Sequence, residues 1–337
     1  ITDIDVRDRR VLLRVDFNVP IEVGAERLSA YDHRLRAALP TIYYLLGSNS
    51  QIILSSHLGR PEGRIIEDLR LAPIAQRLES LLLRPVSYAR DSTGPIAEKA
   101  VSEMRPRDIL LLENLRFNPN EENNDDEFAR SLASLADVFI MDAFGVAHRS
   151  HASTTGVPRF LLSASGFLLQ REIEIVGQAL HAPSRPFAAI LGGSKVSDKI
   201  RVIDNLIEKV DHLFIGGGMV ATFLSAMGYN TGNSEIEENC LEIAQKHLDQ
   251  AKERGVSIHL PVDVVVAETF GAEAQHSLNT PIDKIPQGWV IMDIGRQTIE
   301  QFSKLLSKSK TIMWNGPMGV FEFAPYAGGT RKIASTM

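Results

Sequence analysis

The chain has 337 residues, 44% of them hydrophobic, and its 36 lysines and arginines against 42 aspartates and glutamates give a net charge of −6. This composition excludes a collagen-like or disordered chain, and its acidity argues against a protein that coats nucleic acid or an anionic membrane. The single cysteine, Cys240, permits no internal disulfide, and no run of 18 apolar residues occurs. We therefore expect a cytoplasmic protein of two domains, with no membrane or nucleic-acid partner.

Apolar, β-branched runs alternate with segments of helical period along the whole chain. They predict strands at residues 11–17, 51–56, 108–112, 137–143, 187–191, 212–215, 257–266, 289–294 and 311–314. Helices are predicted at residues 35–47, 72–83, 127–136, 168–180, 196–209, 219–227, 236–254 and 298–308. The alternation indicates βαβ units around parallel sheets, in which ligands bind beyond the carboxyl ends of the strands.

The domain boundary is predicted near the helix at 168–180, which leads into Pro183 and Pro186. Two prolines so close together end a helix and begin an extended segment. We therefore predict one domain at 1–167, an interdomain helix and hinge at 168–186, and a second domain at 187–337.

The basic residues differ in type between the two halves of the chain. They are mostly arginine in the first half and mostly lysine in the second. The difference fits two halves that bind different ligands, or it reflects a bias in amino-acid composition without a functional meaning.

In the first half, four predicted strands each end in polar or cationic residues. Arg34 lies at the start of the first helix. The residues at the ends of the four strands are, in chain order, Asp16, Phe17 and Asn18 for the first; His57, Leu58, Gly59 and Arg60 for the second; Arg116 for the third; and His148, Arg149 and His151 for the fourth. Because parallel strands end at one edge of a sheet, the arginines would gather around one small polyanion. A single arginine is more often a surface side chain, but four strand ends that share the pattern favour a site.

The histidines of this half could bind a substrate carboxylate or phosphate, or they could be structural. The sequence has no cysteine and histidine spacing typical of zinc, which argues against a metal role for His57, His148 and His151.

In the second half, Gly192 and Gly193 follow a strand and precede Lys195 and Lys199. The glycines would let backbone N–H groups approach a phosphate at a helix N-terminus, with both lysines on one helical face. The spacing of a Walker loop is absent, so the segment by itself could also be a glycine turn with an exposed lysine pair.

Two further segments have two interpretations each. Gly216, Gly217 and Gly218, with Glu235 and Glu237 about twenty residues on, are typical of a dinucleotide site and equally of a tight packing turn. The loop with Asn315, Pro317 and Glu322 could line an adenine slot, with Glu322 on ribose hydroxyls, or it could be a connector.

Taken together, the sequence resembles the phosphoglycerate kinase family. Nine segments carry the resemblance in the family's order: RVDFNVP at 14–20, RLRAALPTI at 34–42, SHLGRP at 56–61, LLENLRF at 111–117, MDAFGVAHRSHAST at 141–154, LGGSKVSDKI at 191–200, GGGMVATFL at 216–224, LPVDVVVA at 260–267 and WNGPMGVFEF at 314–323. The resemblance implies an α/β protein of two Rossmann-like, three-layer αβα domains with parallel sheets, joined by a hinge helix. It also implies a monomeric, cytoplasmic enzyme.

The reaction implied is reversible phosphoryl transfer between 1,3-bisphosphoglycerate and ADP, giving 3-phosphoglycerate and ATP, with Mg²⁺ bound to the nucleotide. The N-terminal domain would hold the glycerate through Asp16, Phe17, Asn18, Arg34, His57, Leu58, Gly59, Arg60, Arg116, His148 and Arg149. The C-terminal domain would hold the nucleotide through Gly192, Gly193, Lys195, Lys199, Gly216, Gly217, Gly218, Asn315, Pro317 and Glu322. Arg34, Lys195 and Lys199 would be the catalytic cations.

Some positions depart from the family pattern. The glycine-rich motif with the magnesium-binding aspartate is expected beyond Met337, Asn233 replaces a usual lysine, and Ile291 replaces a common glycine and would narrow the adenine pocket. Two other functions are kept as alternatives: a nicotinamide-dependent dehydrogenase that uses the Gly216 turn, and a non-catalytic binding protein.

Overall fold

Apolar strands form two parallel sheets, one in each of two compact units. The computed structural model describes residues 1–19, 32–274 and 276–337, and it divides into the units Ile1–Val176 and Gly177–Met337. Pro20, the last residue of the RVDFNVP segment, lies outside the described residues.

The first unit contains a six-stranded sheet in which every pair is parallel. Its strands are β1 (Arg10–Val15), β2 (Gln51–Ser55), β3 (Ser87–Tyr88), β4 (Ile109–Leu111), β5 (Val138–Asp142) and β6 (Leu162–Ser165), in the order β3-β4-β2-β1-β5-β6. Its helices are α1 (Asp32–Gly47), α2 (Ala72–Leu82), α3 (Gly94–Ser102) and α4 (Asp126–Ala133), and α5 (Phe167–His181) crosses the boundary between the units.

Both faces of this sheet are covered by helices. Leu12 and Ile53 belong to a core with residues of α3 and α4, whereas their neighbours Leu13 and Ile52 belong to a core with residues of α1 and α2. Successive strand residues point to opposite faces of a sheet, so a strand that is apolar at every position needs two covering layers. The predicted three-layer αβα arrangement is confirmed here.

The second unit repeats this design around a four-stranded parallel sheet. The strands β7 (Phe187–Leu191), β8 (His212–Ile215), β9 (Ser257–His259) and β13 (Thr311–Asn315) have the order β13-β7-β8-β9. A second sheet has the order β11-β10-β12, with β10 (Asp263–Ala267), β11 (Ser277–Pro281) and β12 (Val290–Ile294). The helices are α6 (Ile200–Ile207), α7 (Met219–Ala226), α8 (Leu241–Glu253), α9 (Arg296–Leu306) and α10 (Gly328–Ala334).

Some element predictions are wrong in this unit. The single strand expected at 257–266 is two strands in different sheets, because Pro261 between them lacks the N–H that a continuous ladder needs. The β11-β10-β12 sheet is antiparallel, whereas only parallel sheets were expected. The helix expected from 196 begins at Ile200. The strand β11 and the helix α10 of this unit were not predicted, and neither were β3, β6 and α3 of the first unit.

The start of α5 is fixed by a buried side chain at the end of β5. Asp142 Oδ1 accepts hydrogen bonds from the backbone N–H groups of Leu168 at 2.9 Å and Leu169 at 3.1 Å. These bonds satisfy donors that the first turn of a helix leaves unpaired.

No helix within the described ranges is long and apolar enough to cross a membrane.

Candidate active site

The sheet order places four polar strand ends side by side in the first unit. The strands β4, β2, β1 and β5 are consecutive in the sheet and parallel, so the loops that follow them are neighbours. Hydrogen bonds join these loops, since Gly59 N–H donates to Asn18 Oδ1 at 2.9 Å and Leu58 N–H donates to Asn114 Oδ1 at 3.1 Å. The gathering of strand ends expected from the sequence is therefore present.

A buried chain of hydrogen bonds lies beneath this edge. The side chain of Arg14 is 1% exposed, and its guanidinium donates to Ser153 Oγ at 2.8 Å and lies 3.2 Å from Nδ1 of His57. Ser153 Oγ donates in turn to Oε1 of Glu121 at 2.5 Å. A buried guanidinium is costly unless it is paired, and this chain gives Arg14 its partners while leaving its positive charge close to His57.

His57 is held as a neutral ring with a defined tautomer. Because arginine can only donate, Nδ1 of His57 accepts the bond from Arg14, and the ring proton lies on Nε2. Burial, followed by the positive charges of Arg14 and Arg116, lowers the pKa of His57 to about 2. His57 is therefore a hydrogen-bond donor at neutral pH, and it carries no charge to neutralise a ligand.

The arginines of the loops lie close enough for their charges to act on one another. Burial lowers the pKa of Arg116, the carboxylates of Glu122 and Glu121 oppose this effect, and the positive charges of Arg149 and Arg60 add to it. Arg116 Nη1 donates to the Gly59 carbonyl at 2.7 Å, which fixes the loop that carries Arg60. Three of the four predicted arginines therefore form one cationic cluster.

Two guanidinium nitrogens in this cluster have unused donors. Nε of Arg116 and Nε of Arg149 are buried and have no hydrogen-bond partner in the described part of the chain. Arg116 Nε lies 3.0 Å from Glu122 Oε1, but without the alignment of a hydrogen bond. A buried donor without a partner costs about 1–3 kcal/mol, so these nitrogens are suited to an anionic ligand.

Arg34, the fourth arginine, pairs with a carboxylate at the end of β1. Its guanidinium is 2.8 Å from Oδ2 of Asp16, and its side chain is 41% exposed. Asp16 thus holds a solvent-facing arginine at the end of β1, and its Oδ1 accepts from Asn18 N–H at 3.1 Å.

Burial limits what three of the predicted residues can do, whereas a fourth is exposed. The side chains of Phe17 and Leu58 are 0% and 2% exposed in the hydrophobic core, so only their backbone can reach a ligand. His148 is exposed on the loop after β5, whereas His151 is half-buried, and its pKa is lowered mainly by burial.

The second unit holds a cavity of about 660 Å³. Its walls include Gly193, Gly217, Gly218, Pro317 and Glu322 of the predicted nucleotide residues. Most of the remaining wall is apolar, and its apolar part includes residues of β12 and aromatic side chains: Val290, Ile291, Met292, Phe270, Phe321 and Phe323. Ile291, which was expected to narrow an adenine pocket, lies in the wall of this cavity. A cavity of this size with few polar groups is suited to a small organic ligand.

The glycines around this cavity are required by close contact of the backbone. A Cβ at Gly192 would lie 1.8 Å from the Pro317 carbonyl oxygen. At Gly217, where φ is +66°, a Cβ would lie 2.6 Å from the backbone N of Gly193. Of the two interpretations of the glycine turn, the structure supports tight packing between loops.

The loop that carries Lys195 and Lys199 has a different conformation from the helix predicted for this segment. Lys195 and Lys199 precede α6 instead of lying on one face of it, because the helix begins only at Ile200. Lys199 Nζ donates to Oδ1 of Asn315, and neither lysine lines the cavity. Gly192, Gly216 and Asn315 also lie outside the cavity wall.

Sequence reasoning missed several polar residues of both units. Asp293 lines the cavity, and burial raises its pKa to about 6. Arg14, Glu121 and Ser153 were missed as well, although a charged residue inside an otherwise apolar strand could have indicated Arg14. Glu237, noted only as an acidic residue that follows a possible dinucleotide turn, accepts hydrogen bonds from Val196 and Ser197.

The described residues do not form a metal site by themselves. Across 1–19, 32–274 and 276–337, no group of three or more His, Cys, Asp and Glu side chains could hold a metal ion.

Comparison with known proteins identifies the family. A family model described as phosphoglycerate kinase matches residues 1–337. The chain belongs to the phosphoglycerate kinase family. Curated phosphoglycerate kinases from Moorella thermoacetica and Roseiflexus castenholzii are 53% identical over 332 residues and 51% identical over 339 residues. The first alignment covers 98% of this chain and 84% of the relative, and the second covers 100% and 85%.

Solved structures lead to the same family. The chain is similar to phosphoglycerate kinase from Coxiella burnetii, with a TM-score of 0.79 and 38% identity, and to that from Pyrococcus horikoshii, with a TM-score of 0.84 and 30% identity. Both alignments cover all of this chain, and they cover 84% and 85% of the solved chains.

The family assignment decides the reaction class. The chain is a phosphotransferase, and its reaction is the glycolytic phosphoryl transfer between 1,3-bisphosphoglycerate and ADP. The nicotinamide-dependent dehydrogenase alternative is wrong, because the match to the kinase family extends over the whole chain.

Proposed function

We propose that the two ligands of this reaction bind to different units. The glycerate would bind at the strand ends of the first unit, and the nucleotide would bind in the cavity of the second. The observation that supports the first assignment is that Nε of Arg116 and Nε of Arg149 are buried and have no hydrogen-bond acceptor within residues 1–19, 32–274 and 276–337. An anionic ligand would supply acceptors that these described residues do not.

In the first unit, the cationic cluster would hold the phosphate and carboxylate of the glycerate. Arg60, Arg116 and Arg149 would supply charge-assisted hydrogen bonds, and Nε2 of His57 would donate one uncharged bond. Asp16 and Asn18 are suited to a hydroxyl group, since the Asp16 carboxylate can only accept. His148 and the backbone of residues 17, 58 and 59 would complete this site.

In the second unit, the apolar walls of the cavity would hold the adenine. Glu322, exposed at the cavity wall, would accept from ribose hydroxyls. Lys195 and Lys199 lie on the loop after β7, outside the cavity, where they are suited to the phosphates. Gly193, Gly217, Gly218 and Pro317 would shape the cavity wall, and Gly192, Gly216 and Asn315, which lie outside the wall, would contribute from the adjoining loops.

The chemistry needs no general base. The nucleophile is the carboxylate of 3-phosphoglycerate, which has a pKa near ~4 and is already ionised at neutral pH. A carboxylate oxygen forms the new bond to phosphorus as the bond from phosphorus to the ADP oxygen breaks, and the reverse reaction retraces this path. Arg34, Lys195 and Lys199 would offset the charge on the transferring group. The neutral state of His57 agrees with this scheme, since no proton has to move.

Magnesium is proposed only as part of the nucleotide substrate. Among the described residues, no group of three or more His, Cys, Asp and Glu side chains could hold the ion. A nucleotide-bound Mg²⁺ needs few protein ligands, because phosphate oxygens and water supply the other ligands. No step of the scheme uses protein ligands to the metal. Monomeric and cytoplasmic operation stay predictions.

The test of this function is the substitution Arg34→Ala, with Arg36→Ala as the matched control. Arg36 lies on the same helix and is 3.5 Å from Asp32, away from the loops. Removal of one preorganised donor at a transferring charge costs about 10²-fold in rate, so steady-state assays should show that loss for Arg34→Ala. A change within threefold, or an equal loss in Arg36→Ala, would overturn the role of Arg34.

A further inference from the structure

The carboxylate of Glu237 accepts hydrogen bonds from the loop that carries both lysines. Val196 N–H donates to Oε2 at 2.5 Å and Ser197 N–H donates to the same oxygen at 3.1 Å. Ser197 Oγ donates to Oε1 at 2.5 Å. Both carboxylate oxygens therefore accept from Val196 and Ser197, two of the three residues that lie between Lys195 and Lys199.

Glu237 is itself held by the core of the second unit. Its backbone N–H donates to Oγ1 of Thr222 at 3.2 Å, and Thr222 is 2% exposed on α7. Cys240, three residues later, is 2% exposed at the start of α8. The carboxylate is thus a fixed point, whereas Lys195 and Ser197 on the loop are exposed.

The other contacts of the loop hold its two ends and one side chain in its middle. At the start, Gly192 N–H donates to the Asn315 carbonyl at 2.9 Å and Gly193 N–H donates to the Pro317 carbonyl at 3.3 Å. At the end, α6 follows Lys199 directly.

In the middle of the loop, the side chain of Val196 is 0% exposed in the core of the second unit, and its carbonyl accepts from Lys199 N–H at 2.8 Å. Glu237 adds hydrogen bonds to the backbone of Val196 and to Ser197. The backbone that carries the lysines is therefore held by this carboxylate together with one apolar side chain.

These bonds also change what the loop can do. The N–H groups of Val196 and Ser197 are occupied by a carboxylate, so a phosphate has to be bound by the lysine side chains and not by this stretch of backbone. The carboxylate remains ionised, because the bonds from Ser197 and Val196 outweigh the effect of burial and hold the pKa of Glu237 below its ordinary value.

We propose that Glu237 is a positioning residue that fixes the loop 192–199 and so directs Lys195 and Lys199 to the nucleotide phosphates. This inference rests on the proposed role of the lysines. Glu237 acts through the geometry of its hydrogen bonds and does not touch the substrate.

The substitutions Glu237→Gln and Glu237→Ala separate geometry from charge. A glutamine keeps one oxygen to accept from the backbone of residues 196 and 197, and its amide can donate to Ser197 Oγ. Alanine removes every bond. Glu238, the exposed neighbour, gives the matched control Glu238→Ala.

We expect Glu237→Ala to lower kcat/KM for ADP by about 10- to 100-fold, the scale of a misplaced catalytic group, with KM for 3-phosphoglycerate within twofold. Glu237→Gln should stay within threefold of the parent, and Glu238→Ala should be unchanged. If Glu237→Ala does not fold, Ser197→Ala on the exposed side of the loop should show a smaller loss that is also confined to the nucleotide.

If Lys199→Ala does impair the use of ADP, any one of three results would overturn the role of Glu237 and leave the role of the lysines intact. These are an unchanged Glu237→Ala enzyme, a Glu237→Gln enzyme as impaired as Glu237→Ala, or equal losses for ADP and 3-phosphoglycerate. If Lys199→Ala itself has no effect on ADP, the proposed role of the lysines fails, and the inference fails with it.

Discussion

His57 shows how a single side chain of the site is tuned by its neighbours. Its ring accepts from Arg14, which in turn donates to Ser153, and Ser153 donates to Glu121. The guanidinium and the histidine are brought together by strand order, since residues 14 and 57 are 43 positions apart. An uncharged donor among several arginines can contact a carboxylate without adding to the repulsion between the cations.

The pKa of His57 leads to a prediction about titration. With a folded-state pKa of about 2, the ring should bind no proton between pH 8 and pH 5, whereas an ordinary histidine titrates near ~6.5. Long-range ¹⁵N NMR of the imidazole should show a neutral ring protonated at Nε2 throughout this range. A titration midpoint near 6.5 would contradict the assignment.

The sequence predicted the site residues that follow strand ends, because parallel topology alone brings those ends together. It could not predict Ser153 as the partner of Arg14, since the two are 139 positions apart and only the folded chain joins them. Glu237 was missed as a partner of Val196 for the same reason, at a separation of 41 positions.

At the scale of elements, Asn114 is the residue that holds the loop after β2. Oδ1 accepts from the N–H groups of Leu58 and Arg116, both at 3.1 Å. Nδ2 donates to the carbonyls of Leu58 at 2.8 Å and Leu69 at 3.0 Å. One fully buried amide thus aligns the loops that carry His57, Arg60 and Arg116.

We expect Asn114→Ala to raise KM for 3-phosphoglycerate by about tenfold, because the substitution leaves the buried backbone groups of Leu58 without partners, at about 1–3 kcal/mol each. The same loss should lower Tm, and KM for ADP should stay within twofold in steady-state assays. The exposed Asn120 gives the control Asn120→Ala. A KM for ADP that rises as much as that for 3-phosphoglycerate would contradict this role.

Element prediction succeeded where burial on both faces leaves an unbroken apolar run. The strands β7 and β8 have the predicted bounds for this reason. It failed where a tertiary contact overrides a local pattern. The N–H groups of residues 196 and 197 donate to Glu237, which holds these residues outside the helix, so α6 begins later than its sequence period suggests.

For the whole molecule, the proposed division of ligands between units requires the two ligands to come together for transfer. We propose that α5 and the segment with Pro183 and Pro186 act as the hinge, and that closure keeps water from the acyl phosphate.

Lengthening the segment 183–186 with flexible residues should lower kcat while leaving the affinity for each ligand nearly unchanged, because neither binding site is altered. Binding titrations and steady-state assays on the same variant would separate the two effects. Large losses of both affinities would contradict a hinge role.

The division of ligands is tested most directly by calorimetric titration of 3-phosphoglycerate and of ADP into Arg149→Ala and Lys199→Ala. Loss of a charge-assisted hydrogen bond should cost about 1.5–3 kcal/mol, which is roughly 10- to 100-fold in affinity. Arg149→Ala should weaken only the glycerate by that factor, and Lys199→Ala should weaken only the nucleotide. Equal weakening of both ligands by either substitution would contradict the division.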